Sequence, residues 1–185
     1  MTTPPSLRDT SPAMQGRLKI ICYLGMGSNL ENPHEQIARA LQTITRHPSI
    51  TLLRQSPWYA SKAIGLDRQH DNTQPDYING VIEIETTLSP TDLLRTVQQI
   101  ETAQGRTREA RWGARTLDID ILLYGDQRIQ TAELEIPHPR MLERPFVLVP
   151  LSDLNPKAIK NETITTLLAT LPRDGLRLIH EAIHL

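Results

Sequence analysis

The order in which strand-like and helix-like runs follow one another limits the fold of this chain more than any single motif does. Leu18 to Leu24 is a short, mostly apolar run of strand length that stops at the turn-like GMGSN. Asn32-Pro33-His34-Glu35 then opens a helix, with Asn as the cap, Pro at the first helical position and Glu at the third. Ile37, Ala40, Leu41 and Ile44 recur behind it at helical spacing, and His47-Pro48 ends it. Ile50 to Tyr59 reads as a strand whose Pro57 marks an edge or a bend. After a polar loop from Ser61 to Pro75, the stretch Asp76 to Thr86 alternates. Ile78, Gly80, Ile82 and Ile84 share one face, and Tyr77, Asn79, Val81 and Glu83 the other. Ser89-Pro90-Thr91-Asp92 starts a second capped helix with Leu93, Val97 and Ile100 on its core stripe, and Gly105 closes it. Leu117 to Leu123 is a last strand. This order is that of the split βαβ unit and predicts an α+β fold: a ferredoxin-like βαββαβ core with an antiparallel sheet. Beyond Gly125 the pattern thins to a Pro-rich loop around Pro137, His138 and Pro139 and a helix over Thr163 to Leu171, read as a C-terminal extension.

A length of 185 residues suits one domain, expected over 17–185, with the Pro- and Ser-containing residues 1–16 as a disordered lead-in. The formal net charge of −1 offers no global basic field, so nucleic acid and anionic membranes are not expected partners. Cys22 is the single cysteine, which excludes an intrachain disulfide and fits a reducing, cytoplasmic setting. No apolar run approaches the ~20 residues that span a bilayer. A monomer is the expected state.

The last strand carries an anomaly: Asp118 and Asp120 sit inside an otherwise apolar run. Residues two apart in a strand project to one face, here with Cα atoms about 6.5–7 Å apart, while Leu117, Ile119, Ile121 and Leu123 are expected on the other. Two such carboxylates resist joint ionisation unless a cation lies between them, and hard divalent ions with oxygen ligands do that. The alternative is a wet strand face whose carboxylates pair with arginines. Arg106, Arg108, Arg111 and Arg115 lie within ten residues, with Glu109 alone to offset them. Guanidinium forks match phosphate oxygens, so carboxylates, metal and arginines together suit a polyphosphate. Trp112 among them can stack on a planar ring or anchor a core.

Other positions are weaker. Gly25, Gly27 and Ser28 lack the lysine and spacing of a Walker loop and read as a plain turn. Gln98 and Glu101, three apart, can reach one ligand or form an ordinary polar flank. Tyr77 and Asn79 can read a heterocycle's edge or be half-exposed strand polarity. His138 can donate to a phosphate, and Phe146, the single phenylalanine, has a core role by default.

The run GRTREARWGARTLDIDILLYG, with GMGSNL, QPDYINGV and IPHPRMLERPFVL, resembles the 6-hydroxymethyl-7,8-dihydropterin pyrophosphokinases of folate biosynthesis over roughly Leu18 to Leu154. The resemblance implies pyrophosphoryl transfer from ATP to the pterin hydroxymethyl group with release of AMP, on a ferredoxin-like fold with mobile loops. It implies that Asp118 and Asp120 hold two Mg²⁺ ions, with Arg106 and Arg115 beside them in catalysis. It assigns Gln98, Glu101, Arg108, Arg111, Trp112, Ile121, His138 and Arg144 to ATP. Ser61, Ile64, Tyr77, Asn79, Trp112 and Phe146 fall to the pterin, with aromatic rings sandwiching it and the Asn79 amide on its edge. The chain departs from the family pattern at Ser61-Lys62-Ala63, where Thr-Pro is frequent, in a longer 65–75 stretch, and at Glu133, Glu135 and Pro139. Two rival classes stand beside this reading: an RNA- or ligand-binding ferredoxin-like module, and a kinase moving one phosphate. The first lacks a basic sheet face and has only 4% aromatic residues to stack on bases; AMP against ADP separates the second.

Overall fold

The computed structural model describes residues 18–63, 74–105, 116–156, 159, 161–172, 175–179 and 183. The expected lead-in, nearly all of the 65–75 stretch and the arginine loop, with Arg106, Arg108, Arg111, Trp112 and Arg115, lie outside the described residues, as does Ile64. The elements run β1 (Ile20–Ser28), α1 (Pro33–Arg46), β2 (Ile50–Gln55), β3 (Trp58–Ser61), β4 (Tyr77–Thr86), α2 (Pro90–Ala103), β5 (Asp118–Tyr124), β6 (Ile129–Gln130), β7 (Glu135–Ile136), α3 (Pro145–Leu154), α4 (Asn161–Thr170) and β8 (Arg177–Ile179). The main sheet is ordered β5-β1-β4-β3-β8, with β2 also on β4, and its pairings are antiparallel. That is the expected α+β arrangement, with β2 and β3 sharing one edge of β4.

Two cores form on the two faces. Cys22, Leu24, Met26, Ile78, Ile82, Ile84, Ile119 and Ile121 pack against Ile37, Leu41 and Ile44 of α1 and Leu93, Val97 and Ile100 of α2. On the other face Tyr23, Val81, Leu122 and Leu123 meet Val147, Leu151 and Leu154 of α3. Each fully buried aliphatic side chain contributes about 1.5–3 kcal/mol relative to its exposed state.

The structure revises several local expectations. The GMGS stretch is not a turn: β1 continues through it to Ser28. Asn32 takes the N-cap position of α1, but its side chain makes no capping hydrogen bond. Glu31 and Asn32 both have positive φ, 50° and 63°, a region asparagine tolerates, and the Asn32 amide donates to Glu35 Oε2 instead (3.3 Å). Ser89, by contrast, caps α2 as expected, its hydroxyl accepting from the Asp92 N–H. The expected bend at Pro57 splits the 50–59 run into β2 and β3, and Ser56 bridges the break by accepting through Oγ from the Val81 N–H (2.9 Å).

Leu123 is on the opposite face from the expected one. Tyr23 pairs with Leu123 but Leu24 with Ile121, so Leu122 is an extra residue in β5. This bulge turns both Leu122 and Leu123 toward α3 and returns Tyr124 to the first core. The helix expected over 163–171 is α4, while α3, β8 and the β6–β7 hairpin were not expected from the pattern.

Candidate active site

The strand register creates the site. Gly27 pairs with Asp118 on one side and with Asn79 on the other; Gly25 pairs with Asp120 and with Val81. All six positions face the α3 side of the sheet, whose core α3 covers only beyond Val81. Gly27 therefore contributes no side chain between a carboxylate wall and the Asn79 wall, about 10 Å apart at two strand spacings, while the Leu122 side chain lies over Gly25. A Cβ on Gly27 would sit 3.1 Å from Asn79 Oδ1, and one on Gly25 would touch the Leu122 side chain at 3.4 Å. Both glycines lie inside β1 rather than in the expected turn. Their period-two spacing inside an extended run was the available signal.

On the carboxylate wall, Asp118 and Asp120 are both partly exposed on one face, as their spacing requires. β5 is an edge strand, and the Ile119 N–H between the two aspartates points away from β1. Glu101 of α2, 2% exposed, accepts it through Oε1 at 2.7 Å. Glu101 thus lies behind the aspartates as a strut on the strand that carries them. The Ile121 side chain is buried on the opposite face, so only its backbone is available to a nucleotide. Gln98 is partly exposed on α2, one turn before Glu101.

The segment after β7 closes one end of the trough. The His138 N–H donates to Leu122 O (3.0 Å), which pins this loop on β5 at the bulge. His138 Nδ1 accepts from the Arg140 N–H (3.2 Å), so the ring proton of the neutral imidazole is on Nε2, 3.8 Å from Asp120 Oδ2. Burial holds the His138 pKa below its ordinary value, with the Asp120 charge opposing and Arg144 reinforcing that shift. Arg144, at the N-terminus of α3, brings Nη1 to 4.0 Å from Asp120 Oδ2 and its guanidinium carbon to 5.8 Å from the Phe146 ring centre. Phe146 is half-buried against the second core.

On the opposite wall, Asn79 is 7% exposed and its amide donates to Ser61 Oγ at 2.9 Å. Ser61 pairs in register with Tyr77, so Ser61, Tyr77 and Asn79 form one group. The next residues outward, Lys62 and Asp76, join in an ion pair of 2.8 Å. Asn29, just past β1, donates to Pro75 O (3.2 Å) and ties the same edge to the floor strand. Glu133 and Glu135 are exposed in and beside the β6–β7 hairpin, away from this group.

Comparison with known proteins accords with this geometry. Residues 23–156 match the family described as 7,8-dihydro-6-hydroxymethylpterin-pyrophosphokinase (HPPK). The 2-amino-4-hydroxy-6-hydroxymethyldihydropteridine pyrophosphokinase of Pseudomonas aeruginosa is 44% identical over 83% of this chain and 93% of its own. The enzyme of the same name from Haemophilus influenzae is 48% identical over 73% and 81%. Among solved structures, a Plasmodium falciparum HPPK-DHPS triple mutant superposes with a TM-score of 0.61 at 14% identity, over 84% of this chain. This chain spans 44% of that protein, and the likeness is one of fold.

Proposed function

The chain belongs to the 7,8-dihydro-6-hydroxymethylpterin pyrophosphokinase family, and from that premise we propose how its trough divides the work between two substrates. The reaction is transfer of pyrophosphate from ATP to the hydroxymethyl group of the dihydropterin, in folate synthesis. The hydroxymethyl oxygen bonds to the β-phosphorus, the bond from that phosphorus to the α-phosphate oxygen breaks, and AMP leaves. The hydroxyl proton passes to solvent, with no side chain assigned as its base. The observation that carries the division is the single rung Asp118–Gly27–Asn79, on which a carboxylate and an amide flank a residue with no side chain.

Asp118 and Asp120 supply the hard oxygen donors that magnesium prefers, and Gly27, in register with Asp118, puts no side chain between them and Asn79. Two carboxylates leave most of a magnesium ion's oxygen positions to phosphate and water, the usual arrangement for this ion. Two Mg²⁺ ions held by this pair would neutralise the developing phosphate charge. Arg144 adds a fixed cation at the same wall, and the neutral His138 offers its Nε2–H as a donor without repelling it. Arg106 and Arg115 are assigned to the transferring phosphates by the family resemblance, and guanidinium forks suit that role. The family resemblance likewise gives Gln98, Arg108 and Arg111 to ATP, Ile64 to the pterin and Trp112 to both. Across the floor, Asn79, held by Ser61, reads the pterin edge, while Tyr77 and Phe146 offer ring faces. Positioning and electrostatics account for the rate. A cytoplasmic site of action fits the lone, buried Cys22.

The test is a product assay with Mg²⁺, ATP and the dihydropterin. AMP that forms only when pterin and metal are both present is the expected result. ADP in its place would mean transfer of one phosphate and would overturn the reading.

A further inference from the structure

Glu83 is a buried carboxylate with no part in the chemistry above: it is 8% exposed, on the α3 face of β4. Its partner is Arg54, whose Nε donates to Glu83 Oε2 at 2.5 Å and whose Nη2 also pairs with that oxygen. The pair exists because β2 is bulged. Leu52 faces Ile84 but Arg54 faces Glu83, so Leu53 is the extra residue, left 43% exposed. Without it Leu53 would stand opposite Glu83 and Arg54 would fall on the other face.

The same guanidinium reaches further. Arg54 Nη2 donates to Leu154 O (2.7 Å), a carbonyl of the last turn of α3. One residue earlier Asp153 Oδ2 accepts from the Tyr59 hydroxyl of β3 (2.8 Å). A cation at a helix C-terminus also complements its dipole. Apart from Arg144 beside Asp120 at the other end, the rest of the α3 contact is apolar: Val147, Leu151 and Leu154 on Tyr23, Val81, Leu122 and Leu123. Such contact is non-directional and leaves sliding or rotation of the helix weakly opposed. Pro150, inside the helix, removes one of its internal hydrogen bonds. Phe146 and Arg144 lie at the opposite end of α3, about 12 and 15 Å along the axis from Leu154.

We propose that Arg54, held by Glu83, is a positioning residue for substrate. It fixes the C-terminal end of α3 and so sets where Phe146 and Arg144 stand at the other. The proposal rests on the assignment of Phe146 to the pterin. Arg54 touches no substrate and acts through α3.

The test replaces both members of the pair, Arg54→Met with Glu83→Leu, so that no buried charge is left without a partner and the fold survives. Phe146→Ala and the triple variant complete a cycle. The expected result is a cooperative unfolding transition, a pterin KM raised about five-fold with kcat within about two-fold, and no further rise when the pair is removed from Phe146→Ala. An unchanged pterin KM in the double variant, while Phe146→Ala alone raises it, would overturn the anchor and leave the pterin assignment standing. Additive effects would likewise reduce the pair to general stability. A Phe146→Ala enzyme with normal pterin KM would remove the assignment and the proposal with it. Should the double variant not fold, Arg54→Lys enters the same cycle. It keeps Glu83 paired but lacks the fork that also reaches Leu154, and the same outcomes decide.

Discussion

The two faces of one sheet are built to different rules. The face under α1 and α2 is apolar from β5 through β4, with Leu24, Ile82 and Ile84 fully buried. The opposite face is apolar only where α3 lies on it; beyond Val81 it gives way to Asp118, Asp120, Asn79 and two glycines. The strands are shared, so the contrast comes from side-chain parity alone. The lesson is that the covered face holds the strands in register, and that register places the polar groups of the open face across from each other. Changes on the open face should therefore affect turnover with little effect on stability, and changes on the covered face the reverse.

The strongest way to break this division is at the carboxylates. Asp118→Ala or Asp120→Ala should lower kcat by roughly a thousand-fold or more, since a metal ion supplies several kcal/mol of charge stabilisation. The melting temperature should hold, because both side chains are partly exposed. A variant that unfolds, or that turns over normally, would refute the assignment; kinetics beside thermal melts decide.

Next comes the floor. Gly27→Val would place a branched side chain against Asn79 Oδ1, which already lies 3.1 Å from the Cβ position. Pterin KM should rise about a hundred-fold through steric exclusion, comparable to leaving a built polar site unmatched. ATP affinity should change far less. Its counterpart on the covered face, Leu24→Ala, should cost about 2–5 kcal/mol of stability and leave both KM values nearly unchanged. Titration calorimetry with each substrate and denaturant melts separate the two.

Asn79→Ala is a finer cut on the same wall. Losing the amide should weaken pterin binding by about ten- to thirty-fold, the scale of one or two buried hydrogen bonds, with ATP binding within about two-fold. Equal losses for both substrates would make Asn79 a structural prop for Ser61.

Much of this division was legible in sequence. Period-two alternation located β4 and period-3.6 spacing located α1 and α2, because those elements each have one apolar and one polar face, while β1 and β5 were legible as short apolar runs. Asp118 and Asp120 stood out since an apolar strand has no structural use for them. Other features carried no such contrast. α3 is apolar nearly all round and includes Pro145 and Pro150, so neither amphipathic spacing nor helix propensity marks it. The Leu122 bulge breaks parity among like residues, where Leu122 and Leu123 read the same on either face. The Arg54–Glu83 pair depends on the Leu53 bulge, and the floor glycines mimic a turn. Spacing from Gln98 leaves Glu101 as a ligand contact or a polar flank, and the family resemblance gives it to ATP, yet its bond to the Ile119 N–H depends on β5 being an edge, which is a property of the whole sheet.

Glu101 also tests whether a strut can link the faces. Glu101→Leu would leave the Ile119 N–H buried without its acceptor, at about 1–3 kcal/mol of stability. The strand segment between the aspartates would loosen, and kcat should fall several-fold. Glu101→Gln keeps an oxygen acceptor and should retain most of both. If the Gln variant loses as much turnover as the Leu variant while staying equally stable, the carboxylate charge is acting on ATP directly.

The smallest expected effect on turnover, and the cleanest probe of the covered face, is at Cys22. Burial pushes its thiol up from 9.0 to about 12, only partly opposed by a backbone hydrogen bond from Gly125. The native thiol should therefore resist alkylation at pH 8 and react only as the chain unfolds, and Cys22→Ala should leave kcat and both KM values unchanged. Its mark is on stability at high pH. Between about pH 9 and 12 the unfolded chain releases the thiol proton and the folded chain keeps it, so the unfolded state binds fewer protons and stability falls as pH rises. That contribution is complete below pH 9 and gone above 12, with a slope of at most about 1.4 kcal/mol per pH unit. Cys22→Ala removes the slope, so wild type and variant should converge or cross in stability as pH climbs. Parallel curves, or a thiol that labels freely in the folded enzyme, would mean that the α1–α2 face opens in solution, and the contrast between a closed face and a working one would have to be redrawn.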